Sequence, residues 1–313
     1  MKWPEQLQFI PNGKMKQKTS DLNMDGYTCV ISGATSGVGK ATLIKFAEAH
    51  ANLVMVVRNQ EKANPIKDMI ENTYHVKVDI VIADFSDFDS VRQAATYINN
   101  NYEKIDILVN SVGIHSTKKH LSKHHIELVY TTNHLSIFLF TMLLIDKLKE
   151  SQPSRIIQVN SEGHRFYSTK LNDLNFKKHI YTGLRSYGAS KTAQLYTVYE
   201  LAKQLKDSGV TIIAMHPGAV KTNIGQNNGF LYRLSSKLFT SMLLKDVHIS
   251  SDAIHYLATS PEVLAHSGEF YNLTILEIPA KHARDKNKQE LIWKSSLELT
   301  GLNLNAKKEE SHV

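Results

Sequence analysis

A phenol and an ammonium stand four residues apart in the stretch YGASK, as Tyr187 and Lys191. On a helix that spacing places both side chains on one face, about 6 Å apart along the axis. Free tyrosine has a pKa of about 10 and is a poor base at neutral pH, whereas a fixed ammonium nearby stabilises phenolate. Alone, the pair reads equally well as an ordinary solvated helix pair. Two more polar residues give it company. Ser161 ends the apolar run RIIQVNS, on the strand edge where open parallel sheets bind ligands, and its hydroxyl could donate to a carbonyl oxygen that gains charge. Asn133, in TTNHLS, enters an apolar run where an amide without a partner would be costly.

A second motif points to a phosphate-bearing cofactor. SGATSGVGKAT carries glycines at 33, 37 and 39 between an apolar run and a helical pattern. Glycines at such a turn let the backbone approach a ligand, and the helix start offers free N–H groups to a pyrophosphate. Gly33, Thr35, Ser36, Gly37, Val38 and Gly39 are the expected contacts, although the spacing is G-x-x-x-G-x-G and not G-x-G-x-x-G. The next strand ends in VVRNQEK. An Asp there would accept from a ribose 2′-OH, whereas Arg58 suits a 2′-phosphate, so NADP(H) is favoured over NAD(H). Lys40 could add a second positive charge. Asp84, followed by Phe85 in ADFSD, could accept from the adenine amino group or cap the helix that follows.

These residues need a scaffold, and the periodicity supplies one. The β-branched runs YTCVIS, NLVMVVR, VKVDIVIADF, IDILVNSV, RIIQVNS and VTIIAMHPG alternate with helical patterns beginning near 39, 60, 88, 123 and 187, and GEFYNL offers a further strand. Runs that are apolar on both faces suit buried parallel strands. The expected fold is α/β: a Rossmann-type doubly wound parallel sheet of about seven strands, flanked by helices, in a single domain. Residues 1–24 form an N-terminal extension that lies on the domain or frays, 25–280 the cofactor-binding catalytic domain, and 281–313 a C-terminal helix and basic tail. Within the domain, 219–246 is a substrate-loop region; its run FLYRLSSKLFTSMLLK suits a pocket lid, an oligomer face or an interfacial membrane contact.

Composition narrows the classes. Of 313 residues, 42% are hydrophobic and 21% charged, enough for a core without metals or disulfides. The single cysteine, Cys29, lies in an apolar run, which suits a reducing compartment, and cytoplasm is the expected address. The apolar stretch at 135–145 is too short to span a membrane and reads as a buried helix. A formal charge of +7 fits anionic ligands, but no basic stripe carries interleaved aromatics, so nucleic acid is not expected. Among 15 histidines, His120, His124 and His125 form the best metal cluster, yet no Cys or convergent acid completes a set and neighbouring lysines oppose it; no metal is expected.

The motifs occur in one order: the glycine turn, DILVNSVG at 106–113, Asn133, Ser161, Tyr187 with Lys191, and HPGAVKT at 216–222. Jointly they resemble the short-chain dehydrogenase/reductase family. The finer likeness is to the retinol dehydrogenases and the WW-domain-containing oxidoreductase, on GVGKAT, VVRNQEKA, DFSDFDSVR, TTNHLSIFLFT, LNDLNF and SYGASKTAQLYTVYELAKQL. The resemblance implies a tetrad: Tyr187 as general acid/base, Lys191 lowering its pKa and binding nicotinamide ribose, Ser161 polarising the carbonyl, and Asn133 holding a proton-relay water. It also implies that Asn110 and Gly113 line the cofactor floor and that Pro217, Gly218, Val220 and Thr222 touch the nicotinamide side. Two departures stand out: the family's N-N-A-G is Asn110-Ser111-Val112-Gly113, and its pair of serines is Asn160-Ser161. The longer spacer before Tyr187 leaves room for substrate-facing groups such as His164, Phe166 and Tyr167, and His115 could also touch substrate. The expected activity is NADP(H)-dependent interconversion of a carbonyl and an alcohol on an apolar, small-to-medium molecule, by a homo-oligomer. The alternative is a catalytically silent dinucleotide-binding regulator or scaffold.

Overall fold

The computed structural model describes residues 7, 9–218 and 246–303. Val220, Thr222 and the apolar run at 230–245 lie outside them. In chain order the elements are α1 (Phe9–Asn12), β1 (Thr28–Ser32), α2 (Gly37–Glu48), β2 (Asn52–Val57), α3 (Gln60–Tyr74), β3 (Val78–Ile82), α4 (Phe88–Asn101), β4 (Ile107–Asn110), α5 (Leu128–Tyr130), α6 (Ser136–Glu150), β5 (Ser154–Val159), α7 (Gly183–Gln204), β6 (Val210–His216), α8 (His248–Thr259), β7 (Phe270–Asn272), β8 (Ile275–Leu276) and α9 (Lys286–Thr300).

The sheet runs β3-β2-β1-β4-β5-β6-β7-β8. Every pairing is parallel except the last, where Tyr271 and Asn272 oppose Leu276 and Ile275. The predicted doubly wound sheet is therefore present. The eighth strand escapes a sequence reading because two residues carry no periodicity. Strand side chains alternate between two cores, as a pleat requires. Val30, Val54 and Val56 meet α4, α6, α7 and α9 on one face. Cys29, Ile31, Leu53, Met55 and Val57 meet α2, α3 and α8 on the other.

The long helix near 123–149 begins later than its pattern suggests. The Glu127 carboxylate accepts from the Tyr130 N–H and starts the helix, while His120 to His125 form a turn in which His125 has φ 58°. The histidines therefore do not share a helix face; His124 Nε2 accepts from the Phe88 N–H and stacks on the Phe88 ring at 4.0 Å. Between α5 and α6, Thr131–Leu135 winds as a π-helix, a form that frequently marks functional sites. The continuous segment Leu128–Glu150 is long and apolar enough to cross a membrane, with mean hydropathy 1.6, but 89% of its most apolar stretch is buried in the domain.

Both ends of the described chain pack onto this frame. Asn12 donates to Glu277, Lys18 N–H to Thr274 and Thr259 to Ser20, so the N-terminal extension lies along β7, β8 and α8. Helix α9 lies across α6 and α7, with Trp293 edge-on to Phe138 at 5.1 Å.

Candidate active site

At the C-terminal ends of the central strands lies a cleft of ≈ 860 Å³. A larger surface concavity of ≈ 1110 Å³ lies beside β8 and the C-terminal end of α7, but it holds none of the residues assembled below.

One end of the cleft is the turn between β1 and α2. Gly33, Thr35, Ser36, Gly37 and Val38 line it. Gly33 has φ +73°, and a Cβ there would sit 3.1 Å from the backbone of Ser111 and Val112. Gly39 works differently: it does not line the cleft, and its absent Cβ would lie 2.5 Å from the Gly33 carbonyl oxygen. Its smallness lets the helix start close onto the turn. The free N–H groups of α2 consequently face an open cradle, a shape and polarity that fit a pyrophosphate.

Beyond the turn, Arg58, Asn59 and Lys62 line the wall. Lys62 was missed from sequence; Lys40, named instead, is not part of the lining. The signal was available, because NQEK opens α3 and its first turn must face the strand end. Asp84 and Phe85 also line the cleft. Asp84 does not cap α4, since Asp87 does so by accepting from the Asp89 N–H; one Asp84 oxygen accepts instead from the Ser86 N–H and hydroxyl, each at 2.8 Å. The floor is formed by Ser111, Val112, Gly113 and Ile114. Asn110 does not belong to it. It is fully buried beneath, donating to Thr141 at 2.9 Å, so it braces β4 against α6.

At the other end stand Ser161, Tyr187 and Lys191, with Asn160, Thr132, His115, Leu184, His216, Pro217 and Gly218. Thr182 starts α7 by accepting from the Arg185 N–H, and the helix then carries Tyr187 and Lys191 on its cleft-facing side. Lys191 Nζ lies 5.8 Å from the centre of the Tyr187 ring and donates to the Val159 carbonyl at 2.9 Å. The Ser161 hydroxyl neighbours the phenol and draws its pKa down. Gly163 keeps that contact open, because a Cβ there would meet the Tyr187 ring at 3.2 Å and Ser161 Oγ at 3.4 Å.

Burial dominates the electrostatics. It raises the Tyr187 phenol, against a smaller downward pull from the Ser161 hydroxyl, and it lowers the Lys191 amine to about 7. His115 and His216 are both lowered by burial and are neutral at pH 7; His115 stands edge-on to Tyr187 at 6.0 Å. Asp84 is the only carboxylate among the described residues of the lining.

Two expectations need correction. His164 does not face a substrate: it is fully buried, its Nδ1–H donates to the Ser161 carbonyl at 2.8 Å, and its Nε2 accepts from the Ala280 N–H at 3.3 Å. Burial holds it neutral by lowering its pKa to about 3. Its work is to pin the Ser161 turn to the segment after β8. Phe166, 62% exposed, and Tyr167, whose ring lies under the Arg185 guanidinium at 5.2 Å, belong to the outer surface of the spacer and not to the cleft.

Asn133 is held from both its side chain and its backbone. Its side chain accepts from the Ile114 N–H at 2.8 Å and donates to the Ile114 carbonyl and to Ser190 Oγ, locking the π-helical segment to the cleft floor. Its own carbonyl accepts from the Gln194 side-chain amide.

Comparison with known proteins agrees with this arrangement. Residues 27–229 match the family described as short chain dehydrogenase. Human retinol dehydrogenase 13 is 31% identical over 292 residues, covering 90% of this chain and 87% of that protein. Mouse retinol dehydrogenase 12 is 30% identical, covering 91% and 89%. Among solved structures, an uncharacterized protein from Mycobacterium Paratuberculosis superposes with a TM-score of 0.73 at 26% identity, covering 91% of this chain and 98% of that one. A short chain dehydrogenase from Burkholderia cenocepacia, solved in complex with NADP, shares the fold with a TM-score of 0.64 at 20% identity, covering 80% and 96%.

Proposed function

The chain belongs to the short-chain dehydrogenases, in their retinol dehydrogenase-like subgroup, and from that premise we propose that it interconverts a carbonyl and an alcohol with NADP(H), using Tyr187 as general acid/base. The observation that carries the reading is the meeting of Tyr187, Lys191 and Ser161 at one end of a cleft whose other end is a glycine-built phosphate cradle.

The donor set fits a phosphorylated dinucleotide. The α2 turn would hold the pyrophosphate, Asp84 the adenine amino group, and Arg58 with Lys62 a 2′-phosphate. Bound there, the nicotinamide supplies or accepts a hydride at carbon. In the reductive direction Tyr187 gives its phenolic proton to the substrate oxygen as charge develops, and in the oxidative direction phenolate takes it back. The Ser161 hydroxyl, at the same end of the cleft as the phenol, donates to the same oxygen. Lys191 presents its charge toward the phenol, favouring phenolate. His115 and Leu184 wall the substrate end. An apolar substrate is supported by Leu184, 76% exposed at that wall, and by the similarity to enzymes named for retinol, an apolar alcohol.

The test is consumption of NADPH with a panel of aldehydes and ketones, and of NADP with retinol and shorter alcohols. Tyr187→Phe should lose about 10²–10⁴-fold in turnover; undiminished turnover sinks the mechanism. Tight NADPH binding without any turnover would favour a silent regulator. The cofactor preference is tested apart from the chemistry: Arg58→Ala and Lys62→Ala should weaken NADPH binding by about tenfold or more, a charge-assisted contact each. NADH binding should hold, and an unchanged NADPH-to-NADH ratio would remove both residues from the role.

A further inference from the structure

Behind the catalytic end of the cleft two amides join the residues assembled above. Gln194, one turn beyond Lys191 on α7, is 2% exposed. Its Oε1 accepts from Lys191 Nζ at 3.1 Å and from Asn160 Nδ2 at 3.0 Å, while its Nε2 donates to the Asn133 carbonyl. Asn160 Nδ2 also donates to the Lys191 carbonyl at 3.0 Å, and Asn160 Oδ1 accepts from the Ser161 N–H at 2.8 Å.

The orientation of both amides is forced by their partners. An ammonium only donates and a backbone carbonyl only accepts, so Gln194 must turn oxygen to Lys191 and nitrogen to Asn133. Likewise Asn160 must turn nitrogen to the Lys191 carbonyl and oxygen to the Ser161 N–H. Neither can flip without leaving buried groups unsatisfied. Serine at 160 could not make both of these contacts, and a side chain shorter than Gln at 194 would not reach from Lys191 to the π-helical carbonyl.

We propose that Gln194, oriented by Asn160, is a positioning residue for the reaction: it ties the Lys191 side chain to the Asn133 carbonyl by a direct amide bridge and so aims the ammonium at Tyr187. Val159 and Gln194 accept two of its N–H groups, which leaves one for the cleft, and the nitrogen lies 5.8 Å from the centre of the Tyr187 ring. This inference rests on the reading of Tyr187 and Lys191 as the proton-transfer pair.

The groups that titrate around Lys191 are few. Tyr187 faces it from α7, His115 comes from the turn after β4, and His216 from the end of β6. From the end of β5 come Asn160 and Ser161, while the next residue, Glu162, is turned away onto Arg165. Removal of the Gln194 oxygen therefore acts on the amine without a compensating carboxylate among the described residues.

The experiment uses the full chain with Gln194→Met, of similar length but unable to bond, and Asn160→Ser. In cofactor-free protein the Lys191 amine is titrated by NMR of ¹⁵N-lysine-labelled samples, its signal assigned by loss in Lys191→Met. Losing an acceptor that favours the ammonium should lower the amine pKa by about one unit in Gln194→Met, with a smaller shift of the same sign in Asn160→Ser. The rising limb of kcat/KM against pH for alcohol oxidation should move up by a comparable amount, because phenolate loses a charged neighbour. Variants that fold with the wild-type melting point and leave both titrations unmoved overturn the proposal. If Gln194→Met does not fold, Asn160→Ser decides by the same two readouts. The amine titration needs no turnover, so an inactive wild type would count against the proposed reaction and leave this test standing. An active enzyme with an unmoved amine would count against the bridge alone.

Discussion

Tyr187 and Lys191 meet in a setting that works against ionising either of them. Burial raises the phenol and pulls the amine to about 7 from an ordinary 10.5. The consequence for stability has a definite sign. Between pH 7 and 10.5 the unfolded chain keeps a proton on Lys191 that the folded chain has released, so stability rises with pH across that window. In Lys191→Met this slope should vanish. Urea melts at several pH values should show the wild type gaining on the variant as pH rises from 7; a constant difference would mean that the amine stays charged in the folded protein. Activity should fall by orders of magnitude in the same variant, because the amine that faces the phenol and donates to the Val159 carbonyl is then absent. The pair's spacing was visible in YGASK, whereas the depth at which it lies was not, since burial depends on α6 and β5 from other parts of the chain.

At the scale of elements, the Ser161 turn is held by an ion cluster that no local pattern announces. Arg165, its side chain fully buried, pairs with both Glu162 and Glu277, and Glu277 also accepts from Asn12 and Asn272. The turn after β5, the strand β8 and the N-terminal extension thus share one guanidinium. Arg165→Met would strand two buried carboxylates and should cost about 3–5 kcal/mol in chemical denaturation. Desolvation first, then the Glu277 charge, raises Glu162 to about 7 from an ordinary 4.5. The folded state then binds the extra proton between those values, so this group's contribution to stability falls as pH rises through 4.5 to 7. Glu162→Gln should flatten that part of the profile, and a profile unchanged by the substitution would show the carboxyl to be ionised throughout. Glu162 and Arg165 are three residues apart in EGHR and their pairing is local; Glu277, more than a hundred residues on, is brought in only by the order of strands β6, β7 and β8.

For the whole molecule, the sheet order places the phosphate cradle, the Ser161 turn and the start of α7 along one edge, because β1, β4 and β5 are neighbours. Helix α9 closes the opposite layer from the far end of the chain. Trp293 packs on Phe138, Ser296 bonds His134 at 2.9 Å, and Tyr196 donates to the His282 carbonyl. His134 lies next to Asn133, so the C-terminal helix supports the π-helical segment from behind. Trp293→Ala should lower stability by about 3–5 kcal/mol, seen as an earlier thermal transition. Intact kcat at low temperature would accompany it, since no residue of the cleft is removed; a loss of kcat at full folding would show that α9 sets the position of Asn133.

The chain's order of motifs and its apolar alternation were sufficient for the α/β class, for seven of the eight strands and for Tyr187, Lys191 and Ser161, because these depend on short-range patterns of 2.0 and 3.6 residues and on turn chemistry. Other properties depend on which distant segments become neighbours. Lys62 replaces Lys40 at the cofactor wall, His164 becomes a buried brace, Asn110 lies under the floor, and Gln194 reaches the Asn133 carbonyl. Side-chain direction and burial are fixed only when helices pack on the sheet. A linear pattern therefore names candidate groups, and the packing decides what each of them touches.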